Sequence, residues 1–105
     1  MPRVGFQLQV DPSRIDEYVE RHREVWPRML AEITASGRRN YTLFLRPDGL
    51  LFGYFEVDDL AASTAYLAAS EVAAEWEAES AGFFTQLDGR PDQGFVELRE
   101  VFHLD

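Results

Sequence analysis

Residues 4–36 read VGFQLQVDPSRIDEYVERHREVWPRMLAEITAS, and the expected fold follows from this stretch. Its first seven residues alternate between apolar and polar side chains, which predicts a half-buried strand over Val4–Val10. The residues that follow repeat apolar side chains at helical spacing, along Ile15, Tyr18, Val25 and Met29. The chain therefore opens with a strand followed by a helix.

The helix has clear start and stop signals. Asp11 can cap the first free N–H groups, and Pro12 suits the first helical position because it has no N–H to leave unpaired. We expect the helix to run to about Ser36 and to end at Gly37 in a left-handed conformation. Pro27 lies inside this span and predicts a kink.

The rest of the chain alternates between strand and helix patterns. Residues 40–46 and 50–57 predict a hairpin around the turn Pro47-Asp48-Gly49. The remaining predicted elements are a helix from Asp58 or Asp59 to about Ala69, a helix over Glu71–Ala81 capped by Ser70, a loop over 88–94 and a final strand over 95–104.

This order predicts an α+β fold in one domain spanning residues 1–105. Strand, helix, strand, strand, helix, strand is the ferredoxin-like split βαβ pattern, an antiparallel sheet with helices on one face. The other face then carries a partly apolar set of side chains, which a second copy of the chain would cover, so we expect a homodimer. That expected set is Gln7, Thr42, Phe44, Leu51, Phe55 and alternate residues of the final strand.

The composition of the chain excludes several classes of function. The chain has 19 acidic and 10 basic residues, a net charge of −9, which argues against nucleic-acid binding. It has no cysteine, which excludes disulfides and thiol nucleophiles. No stretch has the length and hydropathy of a membrane span or a signal peptide, and we expect a cytoplasmic protein.

The candidate chemistry centres on His22. Tyr18 and His22 share one helix face at i, i+4, and Tyr41, Trp76 and perhaps Tyr54 could converge on that face. Aromatic rings combined with a few hydroxyl and N–H groups suit a neutral polar ligand such as a sugar. An imidazole can donate and accept a proton near neutral pH.

Two interpretations of His22 remain open on the residues alone. It is either a core histidine with a satisfied partner or an acid/base group in a pocket. His22 and His103 are the only imidazoles, and no carboxylate stands at ligand spacing on the inner helix faces, so we expect no metal. His103 is expected at the surface or an interface.

At these residues the chain resembles the L-rhamnose mutarotase family, over nearly its whole length. The residues that carry the resemblance are Phe6-Gln7-Leu8-Gln9-Val10, Pro12, Glu17-Tyr18, Arg21-His22, Trp26-Pro27, Asn40-Tyr41, Leu51-Phe52, Glu56, Trp76 and Glu100-Val101-Phe102. The combination in the first helix is fairly specific, because its residue types are uncommon together at that spacing.

The resemblance implies a dimeric α+β barrel that interconverts the α and β anomers of L-rhamnose, or of a similar neutral deoxy sugar, without a cofactor. His22 is implied as the proton donor, and Tyr18, Tyr41 and Trp76 as sugar-binding residues. Many members have a second aromatic residue directly after this tryptophan. Here that position is Glu77. We expect Glu77 to contact the substrate as well and to alter the substrate preference of the protein.

Mutarotation needs a proton on the ring oxygen and removal of a proton from the anomeric hydroxyl, so that the ring opens, rotates about C1–C2 and closes on the other face. Tyr18, Tyr41, a bound water and Glu77 remain candidates for the base. Because a fold does not determine function, two other functions also stay open. One is a cofactor-free monooxygenase of the dimeric α+β barrel type, and the other is a non-enzymatic small-ligand-binding module.

Overall fold

The computed structural model describes residues 2–85, 87 and 90–105, and its strands form a curled antiparallel sheet. The central strand pairs with the third strand on one side and with the two short closing strands on the other, and the second strand lies outside the third. The strands are β1 Arg3–Val10, β2 Arg39–Leu45, β3 Leu50–Glu56, β4 Phe84–Thr85 and β5 Val96–Leu98.

The helices pack on one face of this sheet. They are α1 Ile15–Arg21, α2 Pro27–Ala35, α3 Leu60–Ala69, α4 Glu71–Ser80 and the single turn α5 Pro91–Gly94, with 3₁₀ turns at Pro12–Arg14 and Ala81–Phe83. The predicted caps are confirmed at Asp11, Asp59 and Ser70, whose side chains accept backbone N–H groups of the first turn. The predicted α+β, ferredoxin-like class is therefore confirmed.

The two faces of the sheet differ in burial. On the face toward the helices, called the cavity face, Val4, Phe6, Leu8 and Val10 alternate inward along β1 and are buried. Leu51 and Phe55 of β3 lie opposite Leu8 and Val4 and are also buried, so their predicted position on the other face is wrong.

The other face of the sheet, called the outer face, carries Phe52 and Tyr54 in their place. Phe52 pairs across from Gln7 and Tyr54 from Gly5. Phe44 of β2 lies opposite Phe52 on this same face, as predicted. Phe44 and Phe52 are among the exposed large apolar side chains.

The predicted long first helix is two helices. α1 ends at Arg21 and α2 begins at Pro27, so the expected kink is a complete break. Trp26, the residue before the proline, has φ −52° and ψ 131°, because the proline ring disfavours a helical conformation there. The predicted end at Gly37 is confirmed, with φ 92°. As a result, His22 lies at the end of a helix and not in its middle.

The last third of the chain also differs from the prediction. The final strand is only three residues long, and residues 99–105 have no regular structure. Part of the segment predicted as a loop forms α5, and the strand β4 was not predicted. Asp88 and Gly89 of that predicted loop lie outside the described residues.

A β-bulge interrupts the pairing of β2 with β3. Arg39 pairs with Glu56 and Thr42 with Tyr54, so Asn40 and Tyr41 together lie opposite one residue, Phe55. Asn40 has φ 51° and donates a side-chain hydrogen bond to Glu56. The bulge leaves the Tyr41 ring stacked on Phe55, with centroids 5.3 Å apart, on the cavity face.

Candidate functional site

A cavity of about 850 Å³ lies between the cavity face of the sheet and the helices α1, α2 and α4. Its apolar floor comes from Phe6, Leu8 and Leu51 of the sheet, and its helical wall includes Met29 and Ile33. Cavities of this size hold small-molecule ligands when a few polar groups point into a mostly apolar lining. The polar groups here lie on α1, α4, β2 and α5.

His22 lies on the α1 side of this cavity. Its Nδ1 is 2.9 Å from the backbone carbonyl oxygen of Tyr18. A carbonyl oxygen only accepts, so Nδ1 carries a proton, and in the neutral ring the lone pair is on Nε2. Burial lowers the pKa of His22, the Tyr18 carbonyl opposes this, and the positive charge of Arg21 lowers it further. The resting imidazole is therefore neutral and able to accept a proton at Nε2.

Aromatic rings surround His22. The Tyr18 ring centroid is 4.3 Å away, and the Trp76 ring stands at a near right angle with its centroid 5.8 Å away. Tyr18 is buried, and desolvation raises the pKa of its hydroxyl above the ordinary value, so it stays protonated. These rings offer flat faces and a hydroxyl to a ligand.

Arg21 holds Trp76 in place. Its guanidinium carbon is 3.8 Å from the centroid of a Trp76 ring, and its Nη2 donates to the Trp76 carbonyl oxygen at 3.3 Å. Trp26 packs edge-on against the same indole, with centroids 5.1 Å apart. The pair Arg21 and Trp26, separated by the helix break, therefore fixes the tryptophan that borders His22.

Glu77 follows Trp76 on α4 and is buried in the cavity wall, with 7% of its surface exposed. One carboxyl oxygen accepts the backbone N–H of Asp92 at 3.2 Å. Burial, followed by the negative charge of Asp92, raises the pKa of Glu77 to about 7, while that N–H, Arg90 and Arg38 oppose the rise. The carboxyl is therefore divided between its acid and base forms at neutral pH.

The structure brings all five predicted site residues to one cavity: Tyr18, His22, Tyr41, Trp76 and Glu77. Burial raises the pKa of Tyr41 to about 12. Tyr54, the further aromatic considered from the sequence, is not in the cavity. Its hydroxyl donates to Glu56 at 2.7 Å on the outer face.

Several polar residues of the cavity were not predicted as site residues, among them Arg38, Asp92 and Ser80. Arg38 is buried and donates to the hydroxyl of Ser63 at 2.8 Å. Asp92 lies at the start of α5, and Ser80 follows Glu77 by one turn of α4. Within residues 2–85, 87 and 90–105, the buried Ser80 hydroxyl has no hydrogen-bond partner. Of these residues, only Ser80 could have been placed at the site from the sequence, through its i, i+3 spacing from Glu77.

In residues 2–85, 87 and 90–105, no group of three or more His, Asp or Glu side chains is placed to hold a metal ion. No helix in the same residues is long and apolar enough to cross a membrane.

These features define a small α+β protein of ferredoxin-like topology, with a mostly apolar cavity that contains one imidazole, two tyrosines and a buried carboxyl. Comparison with known proteins gives the family. Residues 3–104 match the family model described as L-rhamnose mutarotase, and the chain belongs to this family.

Curated relatives match over their full length. The L-rhamnose mutarotase of Oceanobacillus iheyensis is 37% identical over 106 residues, covering 100% of both chains. That of Lachnoclostridium phytofermentans is 36% identical, again over 100% of both chains.

Among solved structures, the L-rhamnose mutarotase of Formosa agariphila superposes with a TM-score of 0.82 at 24% identity over 100% of each chain. Rv0793 from Mycobacterium tuberculosis, at 15% identity, gives 0.57 over 98% of this chain and 97% of that one. The structural likenesses support the fold.

Proposed function

We propose that the protein is an isomerase that interconverts the α and β anomers of L-rhamnose, with His22 as proton donor to the anomeric oxygen when the ring closes. Family membership supports the reaction. The observation that carries the role of His22 is the bond from its Nδ1 to the Tyr18 carbonyl, which fixes the tautomer and leaves Nε2 to exchange a proton.

The lowered pKa of His22 sets the order of its two proton transfers. The neutral ring first accepts the proton of the anomeric hydroxyl while the ring oxygen takes a proton from a second group, and the sugar ring opens to the aldehyde. The charged ring then donates this proton to the aldehyde oxygen when the sugar closes on the other face. The proton count of the imidazole is restored at the end, so the reaction is catalytic in His22.

Tyr18, Tyr41, Trp76 and Glu77 are the proposed sugar-binding residues. Trp76 offers a ring that Arg21 and Trp26 hold rigid, which suits stacking on a sugar face. Tyr18 and Tyr41 keep their hydroxyl protons at neutral pH and can donate to sugar hydroxyls.

The decisive measurement is anomer exchange by saturation-transfer NMR of the two anomeric proton signals. Wild-type protein should speed exchange of L-rhamnose, and His22→Ala should remove the acceleration while the thermal unfolding midpoint stays close to wild type. His103→Ala is the matched control, because His103 is paired with Asp105 away from the cavity. Full activity in His22→Ala would disprove the role of His22. Sugar binding without exchange in the wild type would instead favour a binding module.

We also propose that a second copy of the chain covers the outer face. Phe44 and Phe52 are exposed there by 60% and 41%, and Val96 of β5 by 59%. Two such faces packed sheet to sheet would remove this apolar surface from water. Light scattering should report a dimer for wild type and a monomer for Phe52→Lys. Tyr66→Lys, at an equally exposed ring on α3, should remain dimeric.

The proposed location is the cytoplasm. Fractionation of cells that express the natural protein tests this, and recovery in a membrane or secreted fraction would contradict it.

A further inference from the structure

The buried carboxyl of Glu77 forms no ion pair with the described residues. In residues 2–85, 87 and 90–105, its polar contact is the Asp92 N–H, and no arginine or lysine lies within ion-pair distance of it. A buried carboxylate without a paired cation costs several kcal/mol, so such a group is retained as the neutral acid or for a function. The cavity is the space that its carboxyl borders.

Three charged groups surround Glu77, one directly before β2 and two at the start of α5. Arg38, before β2, is engaged by Ser63 and Thr64 on α3. Arg90, before α5, is paired with Asp92 at 2.7 Å. Both cations therefore act on Glu77 only at a distance, while Asp92 faces it with a like charge.

Two tyrosines also lie within electrostatic range of this carboxyl. Glu77 contributes to the raised pKa of both Tyr18 on α1 and Tyr41 on β2. His22 is in ring contact with Tyr18 and with Trp76, the residue before Glu77. The carboxyl and the imidazole thus both lie near Tyr18 in one cavity.

We propose that Glu77 is the second proton-transfer residue of the site, the group that donates a proton to the ring oxygen of the sugar while His22 takes one from the anomeric hydroxyl. This inference rests on the proposed function. It assigns a chemical role, and not only a contact, to Glu77.

The steps balance without any further reactant. On opening, the C1–O5 bond breaks, O5 takes the Glu77 proton, and the O1 proton passes to Nε2 of His22 as the C1–O1 double bond forms. On closing, O5 attacks the other face of C1, its proton returns to the Glu77 carboxylate, and His22 returns a proton to O1. Both residues regain their starting forms.

The active form of the site has a neutral imidazole and a protonated carboxyl. Activity should therefore fall at low pH, as His22 gains a proton, and at high pH, as Glu77 loses its proton around pH 7. The profile of kcat/KM against pH is then bell-shaped, and Glu77 sets its alkaline side.

Glu77→Gln tests this role. The amide oxygen can still accept the Asp92 N–H, but the side chain has no proton to transfer at any working pH. Polarimetry of freshly dissolved L-rhamnose should show kcat lowered by about 10²-fold or more, with KM changed less, and the alkaline fall of kcat/KM should disappear. Glu77→Asp should recover part of the rate. Glu75→Gln is the matched control, because Glu75 is exposed on the same helix and contacts Arg28.

The outcomes separate this inference from the proposed function. A wild-type protein that does not speed exchange would overturn the proposed function itself. If exchange depends on His22, and Glu77→Gln keeps both the wild-type kcat and the alkaline fall, Glu77 transfers no proton. A variant with raised KM and unchanged kcat would show that Glu77 only binds the sugar. If Glu77→Gln does not fold, the pH profile of Glu77→Asp decides between the same results.

Discussion

Replacing Gly53 by alanine should be the most damaging single methyl addition in the sheet. Gly53 lies on the cavity face of β3, directly opposite Phe6. An ideal Cβ at this position would lie 2.0 Å from Cζ of Phe6 and 2.3 Å from Cε1. Carbon atoms at rest are about 3.5–4.0 Å apart, so the Phe6 ring must move by about 1.5 Å.

The ring has little room for that movement. Phe6 is 2% exposed, and its ring centroid is 4.5 Å from that of Phe95 and 5.9 Å from that of Phe55. Overpacking of this kind costs about 1–3 kcal/mol, and the lower chain entropy of alanine in the unfolded state offsets about 0.5–1 kcal/mol. The free energy of unfolding should fall by about 1–2 kcal/mol, which lowers Tm by about 5–15 °C in a chain of this size.

The matched control is Gly5→Ala on β1. A Cβ at Gly5 would meet Phe52 at 3.5 Å, an ordinary van der Waals contact on the outer face. Thermal and urea unfolding of the two variants at one protein concentration give the comparison. Because the Phe6 ring also lines the cavity, Gly53→Ala should raise KM as well. Equal stability of the two variants would refute the steric reasoning.

Three further predictions concern the cavity. The pKa of Glu77 is about 7 in the folded protein against an ordinary 4.5, so the free energy of unfolding of the wild type falls as pH rises between these values. In urea unfolding, Glu77→Gln should therefore be more stable than wild type at pH 8, by up to about 3 kcal/mol. At pH 4 the variant should have no such advantage. Arg21→Ala removes the cation over Trp76 and should lower the free energy of unfolding by about 1–2 kcal/mol in urea titrations; an unchanged midpoint would contradict this. Tyr41→Phe should raise KM in polarimetry, whereas Tyr54→Phe, on the outer face, should not; equal effects would contradict the assignment.

The first helix shows what sequence periodicity can and cannot predict. Tyr18 and His22 share a face because four residues make about one turn, and this local relation holds at the end of a helix as well as in its middle. The break before Pro27 was underestimated, because the ring of a proline and its effect on the preceding residue act together. The periodicity therefore identified two side chains that line the cavity, within an incorrect helix.

The faces of β3 could not be assigned from its sequence. Residues 50–55 are apolar or glycine at every position, so alternation is absent and a shift of one residue exchanges the two faces. Leu51 and Phe55 were expected on the outer face for this reason. Pairing with the clearly alternating strand β1 determines the answer, and that pairing is not local in sequence.

The unpredicted part of the site comes from long-range packing. Arg38 meets Ser63 and Thr64 across 25 and 26 residues, and Glu77 meets Asp92 across 15. No periodicity links such residues, and the short helix that presents Asp92 has only Pro91 as a start signal. The aromatic part of the site was predictable because the resemblance and the helix spacing both pointed to it.

The bulge at Asn40 determines which of two neighbouring arginines, Arg38 or Arg39, points inward. In an uninterrupted ladder Asn40 would take the place opposite Glu56, and every residue before it would change faces, which would turn Arg39 inward and Arg38 outward. One backbone angle, φ 51° at Asn40, thus decides which of the two arginines is buried at the cavity wall. A valine at position 40 would resist that angle, so the charge pattern of this pocket depends on a residue whose side chain faces solvent.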